Sequence, residues 1–307
     1  MAQGECLLSV QDLVVAFNMY ERGFKKKDLE VIHKLSLEVH EGEIIAVVGS
    51  SGSGKSLLAH AILNLLPKNA KVTGKIVYKG EKLDAKVCKK VLGREIAFIP
   101  QSVDYLDPLM KVEKQVRGIF STKEEVNQIF KRYELNSSTG QKYPFQLSGG
   151  MARRILISSA VIQKPTLIIA DEPTPGLNLE MAMETLKHFR QLADAGTAVL
   201  MITHDIDLAL NVADKIAVFY AGTIVESAPR ADFLAGKEAL RHPYSRAFID
   251  ALPQNAFKPL AGTQPYAGNL PSGCLFAERC TCKSACCMKE IEMREVRGGE
   301  VRCIHAT

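Results

Sequence analysis

The chain has 307 residues, 47% of them hydrophobic and 24% charged, which excludes a wholly disordered protein and leaves room for about two domains. A formal charge of +5 is too small and too dispersed to argue for a nucleic-acid partner. The longest apolar runs, at 44–48 and 167–170, are strand-sized, well short of the roughly 18 residues a membrane-spanning helix needs, and no basic-then-apolar leader opens the chain. The expectation is a cytoplasmic chain whose link to a membrane runs through partner subunits.

Residues 7–17 and 31–40 carry β-branched, alternating apolar residues and read as strands, and the charged stretch 21–30 between them reads as a loop. Residues 43–48 form a short continuous apolar strand of the kind buried on both faces of a parallel sheet. A helix is predicted over 57–66, ending at Pro67, and strands over 75–78 and 96–99. From about 104 to 142 charge is dense, glycine rare and apolar spacing helical (Val126, Ile129, Phe130, Tyr133), which marks an inserted helical lobe. Helix 151–162, strand 167–170, helix 180–193, strand 198–202 and helix 206–212 then alternate, implying a mainly parallel sheet with helices on its faces. Segments 215–219 and 223–225 read as a hairpin turning at Ala221-Gly222, and the Pro, Gly, Asn and Gln of 252–271 read as a linker.

Of eight cysteines, six crowd into the last 34 residues: Cys274, Cys280, Cys282, Cys286, Cys287 and Cys303. In a reducing compartment such a cluster points to a metal. Cys6 and Cys88 stand apart and read as structural.

Gly49, Ser50, Ser51, Gly52, Ser53, Gly54, Lys55 and Ser56 fit G-x-x-x-x-G-K-[ST], after a strand and before a helix, as that motif requires. Its glycines let consecutive N–H groups turn inward on phosphate oxygens, at the positive end of a helix. Lys55 can reach the outer phosphates and Ser56 can ligate Mg²⁺. The run Leu-Ile-Ile-Ala-Asp171-Glu172 places two acids at the C-terminal end of a buried strand, where open α/β sheets bind ligands. Asp171 suits Mg²⁺, directly or through water, and Glu172 suits the attacking water.

From here the residues resemble the ABC ATPase family, over about residues 7–225. Leu147-Ser148-Gly149-Gly150-Met151 resembles the ABC signature, Gln101 the Q-loop, Pro175-Gly176-Leu177-Asn178 the D-loop and His204 the switch histidine, all in the family's order. The resemblance implies a P-loop ABC-type α/β core with an antiparallel β subdomain, a helical subdomain (about 102–163) and a small Cys-rich C-terminal extension. It further implies ATP bound between two such subunits, where Ser148, Gly149 and Gly150 of one meet the γ-phosphate held by the other. Gln101 would touch Mg²⁺ or the water, His204 would hydrogen-bond the γ-phosphate, and Phe17, with Tyr20 and Phe24 as rivals, would stack on adenine.

His242-Pro-Tyr-Ser-Arg-Ala247 and Gly273-Cys274-Leu-Phe-Ala-Glu-Arg279-Cys280 resemble the extension of the oligopeptide, dipeptide and nickel importer ATPases, where Met also often replaces the signature Gln. In that subfamily four cysteines, matching Cys274, Cys280, Cys287 and Cys303, hold a [4Fe–4S] cluster in some members; Zn²⁺ or no metal are the alternatives, and Cys282 and Cys286 are spare. Two features depart from the pattern. Asn178 replaces the D-loop Asp, keeping an acceptor and losing a charge, which would suit an asymmetric heterodimer. The 46 positions from Gln101 to Leu147 make a trimmed helical lobe.

The implied organisation is an ATPase domain over 1–251, a linker over 252–272 and a metal-binding extension over 273–307. The implied function is the ATP-hydrolysing subunit of a peptide or nickel importer on the cytoplasmic face of the membrane. Its partners would be two transmembrane permease subunits, a second ABC ATPase subunit and an extracellular or periplasmic substrate-binding protein, with no nucleic acid. The competing readings are a soluble ABC ATPase acting on nucleic acid or ribosomes, and a mainly regulatory nucleotide-binding subunit.

Overall fold

A computed structural model describes residues 4–22, 25–119 and 121–307. The first strands are β1 (Cys6–Arg22) and β2 (Lys25–His40), paired antiparallel along a long hairpin from Cys6↔His40 to Arg22↔Lys25. The loop expected over 21–30 is therefore mostly strand. Polar residues such as Asn18 and Asp28 pair across it, the Asn18 amide donating to the Asp28 carboxylate at 2.8 Å. A ribbon exposed over 18–20 and 27–28 has no apolar alternation to mark it as strand. Phe17, expected to end the first strand, sits within it, half-buried, opposite Leu29. Phe24, its rival for the base, lies outside the described residues.

β3 (Ile44–Val48) leads into α1 (Lys55–Ile62), followed by β4 (Ala70–Tyr78), β5 (Glu81–Lys82), α2 (Ala85–Val91) and β6 (Ile96–Ile99). The inserted lobe holds α3 (Val112–Arg117) and α4 (Lys123–Arg132), the latter opened by a Thr122/Glu125 capping box. Then come α5 (Gly149–Val161), β7 (Leu167–Asp171), α6 (Leu179–Asp194), β8 (Ala198–Thr203), α7 (Ile206–Val212), β9 (Lys215–Tyr220) and β10 (Thr223–Pro229). The chain closes with α8 (Arg230–Leu234), α9 (Pro243–Asp250), β11 (Arg294–Val296) and β12 (Gly299–Val301).

Among the described residues, β2-β1-β4-β5 form an antiparallel sheet and β11-β12-β10-β9-β3-β8-β7-β6 a mixed one. In the second sheet β9, β3, β8, β7 and β6 run parallel. The continuous apolar runs follow from burial on both faces. Ile44, Ala46 and Val48 join one core with the helical lobe, whereas Ile45 and Val47 join another with the antiparallel sheet.

The C-terminal segment packs onto this body. β12 extends the main sheet beside β10, and Phe276 lies edge-on to Tyr220, with ring centroids 5.5 Å apart. Buried Glu226 of β10 accepts from the backbone N–H groups of Arg241 and His242, both at 2.8 Å. Arg241 reaches on to the carbonyls of Val296 (2.5 Å) and Arg297 (2.6 Å), tying β10, the approach to α9 and the terminal hairpin into one charge-assisted network.

Candidate functional site

The phosphate loop runs from the end of β3 into α1. Gly52 and Gly54 take positive φ (73° and 98°), a conformation that turns successive N–H groups toward one side. Gly49 has a different reason: a Cβ there would lie 2.5 Å from the Phe219 carbonyl oxygen, so β9 leaves no room for a side chain. Lys55 is buried, its Nζ donating to the carbonyls of Gly49 (2.9 Å) and Ser50 (2.8 Å). Burial lowers its pKa, while Glu172 and Asp171 oppose that shift. The Ser53 hydroxyl is buried with no hydrogen-bond partner, a polar atom suited to an added phosphate oxygen.

Sheet order brings the acids to the loop. β7 lies beside β8, with Asp171 paired to Ile202, and β8 lies beside β3. The Ser56 hydroxyl donates to Asp171 Oδ1 at 3.1 Å. Burial raises the Asp171 pKa and the Ser56 bond lowers it. A buried carboxylate and a hydroxyl converging here fit a hard divalent cation such as Mg²⁺.

Glu172 has positive φ (48°), uncommon outside glycine, and its N–H is tied to Ile202 O at 2.9 Å. That turn aims a buried carboxylate at the end of β8. His204 Nδ1 donates to Glu172 Oε1 at 2.8 Å, and the Thr203 hydroxyl lies 3.4 Å from Oε2. The His204 ring is itself half exposed and faces outward. Such a pair can take a proton from water on the carboxylate while the imidazole fixes its direction.

Ser148 caps α5, its Oγ accepting from Met151 N at 3.3 Å, and Ser148 and Gly149 are exposed. Gly150 abuts Gly176 of the Pro175–Asn178 turn, where an added Cβ would lie 3.1 Å from the carbonyl. This exposed turn therefore lies at a helix N-terminus, where the first N–H groups have no intrahelical partner. Asn178 caps α6, with Oδ1 accepting from Met181 N at 2.8 Å, so the local role open to an Asp is kept. Exposed Phe145 and Leu179 flank this face.

Three residues escaped the sequence reading. Arg153 of α5 is buried and donates to the carbonyls of Pro100 (2.6 Å) and Gln101, fastening the Gln101 segment to the signature helix while the Gln101 side chain stays exposed. An Arg-Arg pair inside an otherwise apolar helix was the available signal. Thr203 was hidden in the apolar run before His204. Tyr244 of α9 lies on Tyr220, with centroids 4.4 Å apart, and its hydroxyl faces Ser50, bringing the C-terminal segment to the phosphate loop.

In the tail, Cys287 and Cys303 are buried, Cys274 and Cys280 half-buried, and Cys282 and Cys286 exposed. Burial pushes the Cys274 thiol up to about 11. Backbone N–H groups face the sulfurs: Cys282 N reaches Cys280 Sγ at 3.4 Å, Phe276 N faces Cys274, and those of His305 and Ala306 face Cys303. His305 Nε2 is 3.5 Å from Cys287 Sγ. Among the described residues no three of these ligand atoms lie within 4.8 Å of one another. A single tetrahedral Zn²⁺ would bring its sulfurs to about 3.8 Å.

A family profile described as "ABC transporter" matches residues 32–175, and one described as "Oligopeptide/dipeptide transporter, C-terminal region" matches residues 225–287. The dipeptide transport ATP-binding protein DppD of Bacillus subtilis is 32% identical over 306 residues, covering 92% of this chain and 89% of its own. The oligopeptide transport ATP-binding protein OppD of the same organism is 32% identical over 297 residues, covering 89% and 81%. Among solved structures, a dimeric ATP-binding cassette in a post-hydrolysis state with ADP and Pi is similar at a TM-score of 0.65 and 25% identity, over 73% of this chain and 99% of that one.

Proposed function

The chain belongs to the ABC transporter family of ATP-binding proteins, and we propose that it is the ATP-hydrolysing subunit of an importer for dipeptides or oligopeptides. The Glu172–His204 pair beside the Ser56–Asp171 pair, at the mouth of the phosphate loop, carries this reading. The names of the relatives favour peptides, and nickel draws no support from them.

Lys55 would exchange its two loop carbonyls for phosphate oxygens, so its charge is already delivered to the site. Ser56, Asp171 and Gln101 would hold Mg²⁺, which supplies neutralisation of phosphate charge when bound. The water oxygen attacks the γ-phosphorus, the bond to the β-phosphate oxygen breaks, and the water proton passes to Glu172. His204 orients that carboxylate, and its exposed ring would donate to the γ-phosphate as well only with both nitrogens protonated. Phe17 would cover the adenine. Ser148, Gly149 and Gly150, at the exposed start of α5, would complete the site of a second ATPase subunit with their N–H groups, with Asn178 and Leu179 in the contact.

Among the described residues no helix is long and apolar enough to cross a membrane, so the channel would be formed by two permease subunits, with substrate delivered by a binding protein outside. Tyr105, Leu109 and Met110, exposed shortly after Gln101 in the chain, suit a permease contact that reports on the γ-phosphate. The intact Glu172–His204 pair weighs against a merely regulatory subunit. In the tail, Cys274, Cys280, Cys287 and Cys303 would hold an iron–sulfur cluster. The backbone N–H groups aimed at sulfur support that reading.

The test is reconstitution with the co-purifying permease and second ATPase subunits in vesicles, with a binding protein outside. ATP-dependent uptake of labelled dipeptide or oligopeptide supports the proposal. ATPase activity stimulated by ribosomes or DNA instead would overturn it. For the tail, anaerobically prepared protein should carry iron and sulfide with broad visible absorbance, lost in Cys280→Ser; a colourless protein with stoichiometric zinc refutes the cluster.

A further inference from the structure

Cys6, isolated in sequence, is not isolated in space. It starts β1 directly opposite His40, which ends β2, and Glu38 lies two residues before His40 on the same face. Ligand atoms of Cys6, Glu38 and His40 all lie within 4.8 Å of one another. We propose that these three residues form a transition-metal site at the base of the hairpin, suited to Zn²⁺ and separate from both the nucleotide site and the tail cysteines.

The surroundings are those of a held ligand set. Glu43 Oε2 lies 3.1 Å from His40 Nδ1 and accepts the His40 backbone N–H at 2.9 Å. A carboxylate on Nδ1 fixes the ring and leaves the Nε2 lone pair for a metal. Glu43 Oε1 is in turn 3.4 Å from Lys215 Nζ, and the Ser9 hydroxyl donates to Glu38 Oε1 at 3.3 Å.

One thiolate, one imidazole and one carboxylate suit Zn²⁺, and the sulfur disfavours Mg²⁺ and Ca²⁺. Tetrahedral zinc sets ligand separations of about 3.3–3.8 Å, so the three groups need move by about an ångström. Glu38 and His40 also line a cavity of about 500 Å³, walled opposite by Glu295 and Glu300 of the terminal hairpin, with room for water as a fourth ligand. Binding would release the Cys6 thiol proton to solvent. The ion would clamp the start of β1 to the end of β2, four positions before the strand that feeds the phosphate loop.

The test reads Cys6 itself, so metal taken up by the tail does not confuse it. The full-length chain is alkylated with iodoacetamide with and without buffered free Zn²⁺, and each cysteine is followed by peptide mass spectrometry. Zinc should slow Cys6 alkylation by at least about tenfold, and Glu43→Gln should weaken that protection by about tenfold in zinc concentration. Glu38→Gln and His40→Asn should abolish it with unchanged thermal melting, and Mg²⁺ should give none. Equal Cys6 rates with and without zinc, protection confined to the tail cysteines, or protection that survives both ligand variants would each overturn the site.

Discussion

Replacing Glu172 with Gln removes a proton acceptor while leaving its geometry nearly intact. The backbone at 172 stays anchored to Ile202 O at 2.9 Å, and an amide fills the same buried volume between Thr203 and His204. The amide oxygen can still accept from His204, so fold and ATP affinity should hold, the latter within about threefold. What is lost is the base: about 10²–10⁴ in turnover, or about 3–5 kcal/mol of barrier. The assay is steady-state phosphate release by the assembled complex, with ATP binding measured in parallel. The variant should bind ATP and accumulate a closed dimer visible by size exclusion. Turnover above about a third of wild type would refute the role, because no positioned base contributes so little. Lost ATP binding would instead show that the Glu172–His204 pair holds the loop rather than the water.

His242 is buried and held neutral, its pKa pushed down to about 3 by burial, and His188 is pushed down to about 4, chiefly by burial and further by Arg132. The unfolded chain takes up these protons near pH 6.5 and the folded one does not, so stability is present above pH 6.5 and falls as pH drops toward 3. His242 alone should account for about 2 kcal/mol at pH 5, read from urea midpoints. His242→Asn keeps the cap on Tyr244 N, now 3.0 Å from the ring, and should flatten that slope. Arg153→Lys should leave ATP affinity unchanged and cut turnover by up to about a hundredfold, because one ammonium cannot span the Pro100 and Gln101 carbonyls; stopped-flow binding with ATPase rates separates the two. Glu226→Gln should cost about 3–5 kcal/mol, since the amide turns a donor toward a buried N–H and leaves Arg241 less compensated; denaturant unfolding measures it.

The phosphate loop, the acids after β7 and the signature turn were legible because each is written in consecutive residues with a fixed local geometry. A glycine turn needs its glycines in place, and a doubly buried strand needs an unbroken apolar run. The helical lobe was visible for the same reason, through its 3.6-residue spacing in α4. The long hairpin was not. Its outer half, from Asn18↔Asp28 to Arg22↔Lys25, is made strand by the partner strand and not by its own composition.

Consecutive residues specify the local machinery: the loop that can cradle phosphate, the acids that follow a buried strand, the helix with an exposed serine cap. Which groups meet depends on the folded core. His204 reaches Glu172 across 32 residues, Ser56 reaches Asp171 across 115, and Arg153 grips carbonyls 52 and 53 residues away. Cys6 faces His40 through strand register. The reason is that periodicity and turn conformation act over a few residues, whereas these meetings depend on strand order, β3 beside β8 beside β7, which is set by packing across the whole core.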